Sequence, residues 1–191
     1  MTMVDPRPRL RVDLPVYDLT LDDVAELAAA DEHGHRYELV EGNLLIMAPA
    51  DVDHMRVITQ LLVWFVANGY AQDLVLPTPG LRIKGRSSGR NPDLMVLRHS
   101  VAGNTVWIEP EDALLVVEVV SPSTRSEDRL RKPAEYAGAG VPHFWRVERD
   151  NGPATVHMFA LGLDERGERT YIGHEAALLD RLVEGPPPTL A

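Results

Sequence analysis

The pattern of apolar and polar positions along the chain predicts three helices. The first follows Thr20, a typical N-cap residue, and carries acidic residues in its first turn, as the helix dipole favours. The second is capped by Asp51 or Asp53 and extends to about Asn68, with apolar residues on one face at intervals of three and four. The third ends at the glycines of 138–140.

Shorter apolar segments between turn residues predict strands. They lie at 37–47, where a turn at 41–43 makes a hairpin, and at 74–76, 80–84, 93–97, 113–120, 141–148 and 154–160. A flexible loop is predicted at 85–89. The strand at 113–120, ALLVVEVV, is apolar on both faces, which is typical of a central strand covered on both sides. The order of elements predicts an α/β (mixed α+β) fold, with one domain at 17–191 after an extended lead-in at 1–16.

Composition narrows the classes of function. The 191 residues include no cysteine, which excludes disulfides, thiolate zinc sites and a cysteine nucleophile. No apolar run approaches the roughly 20 residues that span a bilayer, and the N-terminal segment has no apolar signal region, so we expect a cytoplasmic protein without a membrane partner. The net charge of −10 opposes tight, indiscriminate binding of nucleic acid, because phosphate neutralisation needs a basic surface. Any contact with nucleic acid therefore requires a local basic patch or a partner.

Glu118 is the most informative residue, because it lies within the apolar run LLVVEVV. A carboxylate in a covered strand costs several kcal/mol unless it is paired or binds a metal. One interpretation is a glutamate near the strand end that meets an arginine. The other is a metal ligand or an acid–base group at the carboxyl end of the strand, where open α/β sheets place their sites.

Asp93 is the second candidate, at the start of another apolar strand in Asn91-Pro92-Asp93. Taken alone, an aspartate in this position is typical of a turn. Paired with Glu118 on a neighbouring strand, it would complete a pocket of two carboxylates. Hard cations such as Mg²⁺ prefer such oxygen ligands, with water and substrate phosphate at the other positions.

Basic residues concentrate beside these two carboxylates. No acid occurs between Leu74 and Pro92, and further bases follow Glu118. This patch is either a solvated charged face or a site for substrate phosphate, with these candidate contacts: Arg82, Lys84, Arg86, Arg90 and Arg125.

The helix after Glu118 contributes a third group of candidates. Lys132 and Tyr136 are four residues apart and Asp128 is one turn earlier, so the three share a helix face. Pro133 requires that the helix begins within a few residues before it or kinks there.

Two further polar residues lie within predicted elements. His54 is on the apolar face of its helix and is either a core histidine or a supporting site residue. Glu38, within a strand, either faces solvent or points toward the pocket.

The segments VVEVVSPSTRSEDRLRKPAEYAGAGVPHFWRVE, YELVEGNLLIM and NPDLMVL resemble, in order and spacing, the Uma2 family of restriction endonuclease-type proteins. The resemblance implies a PD-(D/E)XK nuclease fold, a mixed central sheet flanked by helices. It also implies that Asp93 and Glu118 are the two acids of the motif and that the backbone carbonyl of Val119 is a further metal contact. The usual motif lysine is replaced by Val120, and the resemblance points to Lys132 on the following helix instead.

The resemblance implies an endonuclease that hydrolyses phosphodiester bonds with Mg²⁺ or Mn²⁺, acting on DNA more than on RNA. We expect a homodimer, because two sites are needed to cut two strands. Two alternatives remain open. The first is a nuclease-fold module that binds nucleic acid or protein and is weakly active or inactive. The second is a hydrolase of small phosphorylated or carboxylated molecules.

Overall fold

The structure, a computed structural model, describes residues 18–121, 125–150 and 152–190. The lead-in predicted for 1–16 lies outside these residues. None of the helices in the described part has the length and apolar character needed to cross a bilayer.

The predicted capping residues mark the starts of the first two helices and the end of the third. The described residues form α1 (Leu21–Ala30), α2 (Val52–Ala67), α3 (Lys132–Ala139) and the short α4 (Leu179–Leu182). Thr20 and Asp23 close a capping box at the start of α1. The Asp51 side chain caps α2 by accepting a hydrogen bond from the backbone N–H of His54. Gly140 ends α3 with a φ of 92°, which favours glycine.

Eleven strands accompany these helices in the described part. They are β1 (Arg36–Val40), β2 (Asn43–Met47), β3 (Val75–Pro77), β4 (Gly80–Lys84), β5 (Ser88–Arg90), β6 (Leu94–Leu97), β7 (Trp107–Ile108), β8 (Ala113–Val119), β9 (His143–Glu148), β10 (Thr155–Leu163) and β11 (Arg169–Leu178). The prediction of a loop at 85–89 is wrong for its last two residues, because β5 begins at Ser88. Gly89 serves close packing, since a Cβ at this position would lie 2.7 Å from the side chains of Leu21 and Trp107.

The strands form two sheets. The smaller has the order β2-β1-β5-β4-β7 and the larger the order β11-β10-β9-β8-β6-β3. Both are mixed, since β4 pairs with β7 and β8 with β9 in parallel, whereas the other neighbours are antiparallel. The predicted mixed α+β class is confirmed, with two sheets in place of one.

β8 is buried on both faces, as its apolar sequence predicts. Leu115, Val117 and Val119 pack into the core beside α2. Val116 packs on the opposite face, in the core that contains Tyr136 of α3. Because side chains alternate along a strand, Glu118 lies on the same face as Val116 and faces α3.

The register of β6 and β8 brings the two candidate acids together. Leu94 pairs with Val117 and Met95 with Val116 in antiparallel order. Asp93 directly precedes β6, so this register brings it to the end of the sheet where Glu118 lies. The connection from β8 to the parallel β9 carries α3 across the same face. The fold therefore assembles one site from two strand ends and the helix that follows.

Candidate active site

Glu118 is almost fully buried, and α3 supplies its partners. Its side chain is 2 % exposed. Lys132 Nζ donates to Oε2 at 2.8 Å, and the Tyr136 hydroxyl donates to Oε1 at 2.5 Å. The carboxylate therefore meets a lysine and a tyrosine, and the arginine of the alternative interpretation is not among these partners.

Asp93 is fixed by the end of β8. Its Oδ2 accepts a hydrogen bond from the backbone N–H of Val119 at 2.8 Å. Its Oδ1 lies 2.9 Å from Nε2 of His54, although the two atoms are not aligned for a hydrogen bond. Arg36 approaches the same oxygen, with NH1 at 4.0 Å. One oxygen of Asp93 is thus used to hold the strand end, and the other faces basic groups.

Lys132 reaches the site from an unusual helix start. A π-helical turn, Glu127–Arg131, precedes α3 and places Asp128 Oδ1 2.9 Å from Nζ of Lys132. Pro133 has no backbone N–H to donate to the preceding turn, so the wider turn and the proline are compatible. The predicted shared face of Asp128, Lys132 and Tyr136 is present.

Electrostatics in the site reflect three carboxylates around one ammonium group. Burial, together with repulsion from Asp93 and Asp128, raises the pKa of Glu118 to about 8 against the attraction of Lys132. Burial alone would lower the pKa of Lys132, but Glu118, Glu38 and Asp128 raise it above its ordinary value. The acids around Lys132 therefore favour its charged form. Burial favours the protonated form of Glu118, and a bound cation would have to replace that proton.

A cavity of about 340 Å³ opens on these residues. Its lining includes the following predicted site residues: His54, Asp93, Glu118, Val119, Asp128 and Lys132. Sequence reasoning missed Arg36 and Asp51 among the charged residues of the lining. The sequence indicates Asp51 only as a possible helix cap, and Arg36 precedes the predicted hairpin by one residue.

Glu38 and Arg90 form a buried ion pair beside the cavity. Arg90 NH1 donates to Glu38 Oε2 at 2.9 Å, and the same guanidinium contacts Glu135 and Glu127. Glu38 also accepts the backbone N–H of Asn91 at 3.1 Å. The predicted phosphate contact does not fit Arg90, because its side chain is 2 % exposed and is surrounded by carboxylates.

The other predicted phosphate contacts do not line this cavity. Arg82 pairs with Glu109, and Arg125 pairs with Asp150. Arg86 pairs with Asp22 at the start of α1. These three arginines and the exposed Lys84 therefore fit the interpretation of a solvated charged face.

The donor groups of the cavity suit a hard cation. Asp93 directly precedes β6, Glu118 lies on the adjacent β8, and Val119 lines the same cavity. Within the described residues no group of three or more His, Asp or Glu side chains is arranged to hold a metal ion. The two carboxylates of Asp93 and Glu118 instead match Mg²⁺-type sites, in which one or two carboxylates are completed by water and substrate phosphate.

Comparisons with known proteins identify a family and a similar fold. A family model described as "Uma2: Putative restriction endonuclease" matches residues 21–185. A solved structure from Anabaena variabilis ATCC 29413, described as "a putative nuclease belonging to DUF820", is similar with a TM-score of 0.61 and 13 % identity. The similarity covers 84 % of each chain and concerns the fold. A comparison with curated proteins found no match.

Proposed function

The chain belongs to the Uma2 family, and from this membership we propose that it is a divalent-metal-dependent endonuclease that hydrolyses phosphodiester bonds of nucleic acid. One observation carries the proposal. Two buried carboxylates, Asp93 just before β6 and Glu118 on the adjacent β8, line one cavity, with the ammonium of Lys132 2.8 Å from Glu118. Burying this much charge costs several kcal/mol, a cost that is typical of functional sites when the groups line a cavity.

Asp93, Glu118 and the backbone carbonyl of Val119 would hold one Mg²⁺ or Mn²⁺. When bound, such an ion lowers the pKa of a coordinated water and neutralises charge on the scissile phosphate. The Val119 backbone orients Asp93 through its N–H, and Tyr136 orients Glu118 through its hydroxyl. The two carboxylates are therefore positioned before any ligand enters.

Lys132 would supply fixed positive charge where negative charge develops on the phosphate. Its position is fixed by Glu118 and Asp128, and the acids around it raise the pKa of its ammonium group above the ordinary value. A charge that is already oriented does not need to reorganise during the reaction. Lys132 thus takes the role that the motif lysine has in the PD-(D/E)XK pattern, although it comes from the following helix.

The substrate we propose is nucleic acid, DNA more than RNA. The net charge of −10 predicts weak binding through bulk electrostatics, so affinity depends on groups within the site. The homodimer and the cytoplasmic location stay predictions.

Incubation with DNA tests the proposed function directly. We expect the purified chain to cut supercoiled and linear DNA in the presence of Mn²⁺ or Mg²⁺, and to lose this activity in excess EDTA. Single-stranded DNA and RNA in parallel reactions identify the preferred substrate. Binding of Mn²⁺ and DNA without cleavage would favour the inactive binding module, and hydrolysis of small phosphate esters alone would favour the small-molecule hydrolase.

Metal affinity is expected to depend on pH because a cation competes with the proton of Glu118. The carboxyl has a pKa of about 8, so it is protonated below this pH and must release the proton when a metal binds. Affinity for Mn²⁺ should rise by up to about tenfold per pH unit between pH 6 and 8 and level off above. Calorimetric titrations across this range measure it, and an affinity independent of pH would contradict a role for Glu118 as ligand.

A further inference from the structure

A phosphodiester group that enters the cavity meets an excess of acids. Asp51, Asp93, Glu118 and Asp128 all contribute to its lining. The ammonium of Lys132 is within 3 Å of both Glu118 and Asp128, and its side chain is 5 % exposed. A phosphate therefore needs a second cation that is not already held by carboxylates.

Arg36 is placed to be that cation. It is the first residue of β1 and lines the cavity, and its side chain is 31 % exposed. Side chains alternate along a strand, so Arg36 lies on the same face of β1 as Glu38, which accepts the backbone N–H of Asn91 in the cavity lining. The backbone position of Arg36 is fixed by pairing with Met47 of β2.

The guanidinium of Arg36 keeps its donors available. In the described part of the chain its ion-pair contact is Asp93 Oδ1, at 4.0 Å, which is beyond hydrogen-bond distance. Arg149, by contrast, donates to both oxygens of Asp51, at 3.0 and 3.1 Å. Asp93 thus attracts the guanidinium of Arg36 without accepting a hydrogen bond from it.

We propose that Arg36 binds the substrate by donating two hydrogen bonds to the non-bridging oxygens of the phosphodiester next to Asp93. The inference rests on the proposed function and names a residue that contacts the substrate. The planar fork of a guanidinium matches two phosphate oxygens, whereas an ammonium acts as a point charge. Arg36 therefore replaces the basic patch of 82–90 as the phosphate contact of this site.

Duplex binding with Ca²⁺ in place of Mg²⁺, measured by fluorescence anisotropy on a labelled 30-base-pair DNA, tests the assignment. We expect Arg36→Gln to weaken binding about tenfold or more. The slope of log affinity against log salt concentration should become shallower by about 0.9, the value expected for one lost phosphate contact. Arg36→Lys should restore the salt dependence but only part of the affinity, because the fork is lost.

Two controls separate this proposal from the proposed function. Arg86→Gln removes an exposed arginine outside the cavity and should leave the duplex affinity within about twofold. Mn²⁺ affinity of Arg36→Gln, measured without DNA, should be equal to or higher than that of the wild type, because a positive charge near Asp93 is removed. Duplex binding that survives Arg36→Gln, or that is lost in Arg86→Gln instead, overturns the role of Arg36 and leaves the nuclease proposal intact. Absence of duplex binding by the wild type overturns the role of Arg36 on duplex DNA, whereas the cleavage assay with duplex DNA, single-stranded DNA and RNA decides the nuclease proposal.

Discussion

Replacing Asp93 with asparagine is expected to reduce metal-dependent DNA cleavage by at least about 10²- to 10³-fold, the range seen when one transition-state contact is removed. Asparagine keeps the shape of the side chain, and its carbonyl oxygen can still accept the backbone N–H of Val119. The substitution removes the negative charge that a divalent cation requires. The folded structure should therefore persist while the chemistry is lost.

Initial rates at saturating Mn²⁺ measure this effect. The matched control is Asp53→Asn, which makes the same change on an exposed aspartate of α2 that pairs only with the neighbouring Arg56 in the described residues. Rates within a few-fold of the wild type are expected for this control. Equal cleavage rates for Asp93→Asn and the wild type would show that the reaction does not depend on the carboxylate of Asp93.

Replacing Arg90 with methionine is expected to lower the free energy of unfolding by about 3–5 kcal/mol, because it leaves a buried carboxylate without its partner. Glu38 has a side chain that is 1 % exposed and relies on Arg90 for a hydrogen bond of 2.9 Å. Glu127 and Glu135 lose the same guanidinium. Urea unfolding followed by circular dichroism gives the difference.

Two comparisons isolate the buried charge as the cause. Arg82→Met removes an arginine whose partner, Glu109, is half exposed, and should cost no more than about 1 kcal/mol. Adding Glu38→Gln to Arg90→Met should recover part of the loss, since the unpaired charge disappears. An equal cost for Arg90→Met and Arg82→Met would contradict the account of the buried pair.

The sequence predicts the two acids because each interrupts or borders an apolar strand. A carboxylate within ALLVVEVV is costly unless it is paired or binds a cation. In the structure, Glu118 is buried and accepts hydrogen bonds from Lys132 and Tyr136. The spacing of Asp128, Lys132 and Tyr136 predicts their common helix face. These inferences depend on local periodicity, which a sequence displays directly.

The basic residues are harder to place, because the sign of a charge does not tell which way a side chain points. Arg90 lies in a segment rich in bases, yet β5 pairs with β1 and carries it into contact with Glu38, 52 residues away. Arg36 stands apart from that segment but lines the cavity. The π-helical turn at 127–131 also has no periodic signal of its own, since it follows from how Lys132 and Pro133 fit over the sheet.

Isothermal titration of Mn²⁺ into the wild type and into Asp93→Asn at pH 8 tests the central claim most directly. The acidic cavity should bind one Mn²⁺ per chain in the wild type, and binding should be lost or weakened at least about tenfold in the variant. Identical binding curves for the two proteins, or no binding by either, would contradict the assignment of Asp93 and Glu118 as a metal site.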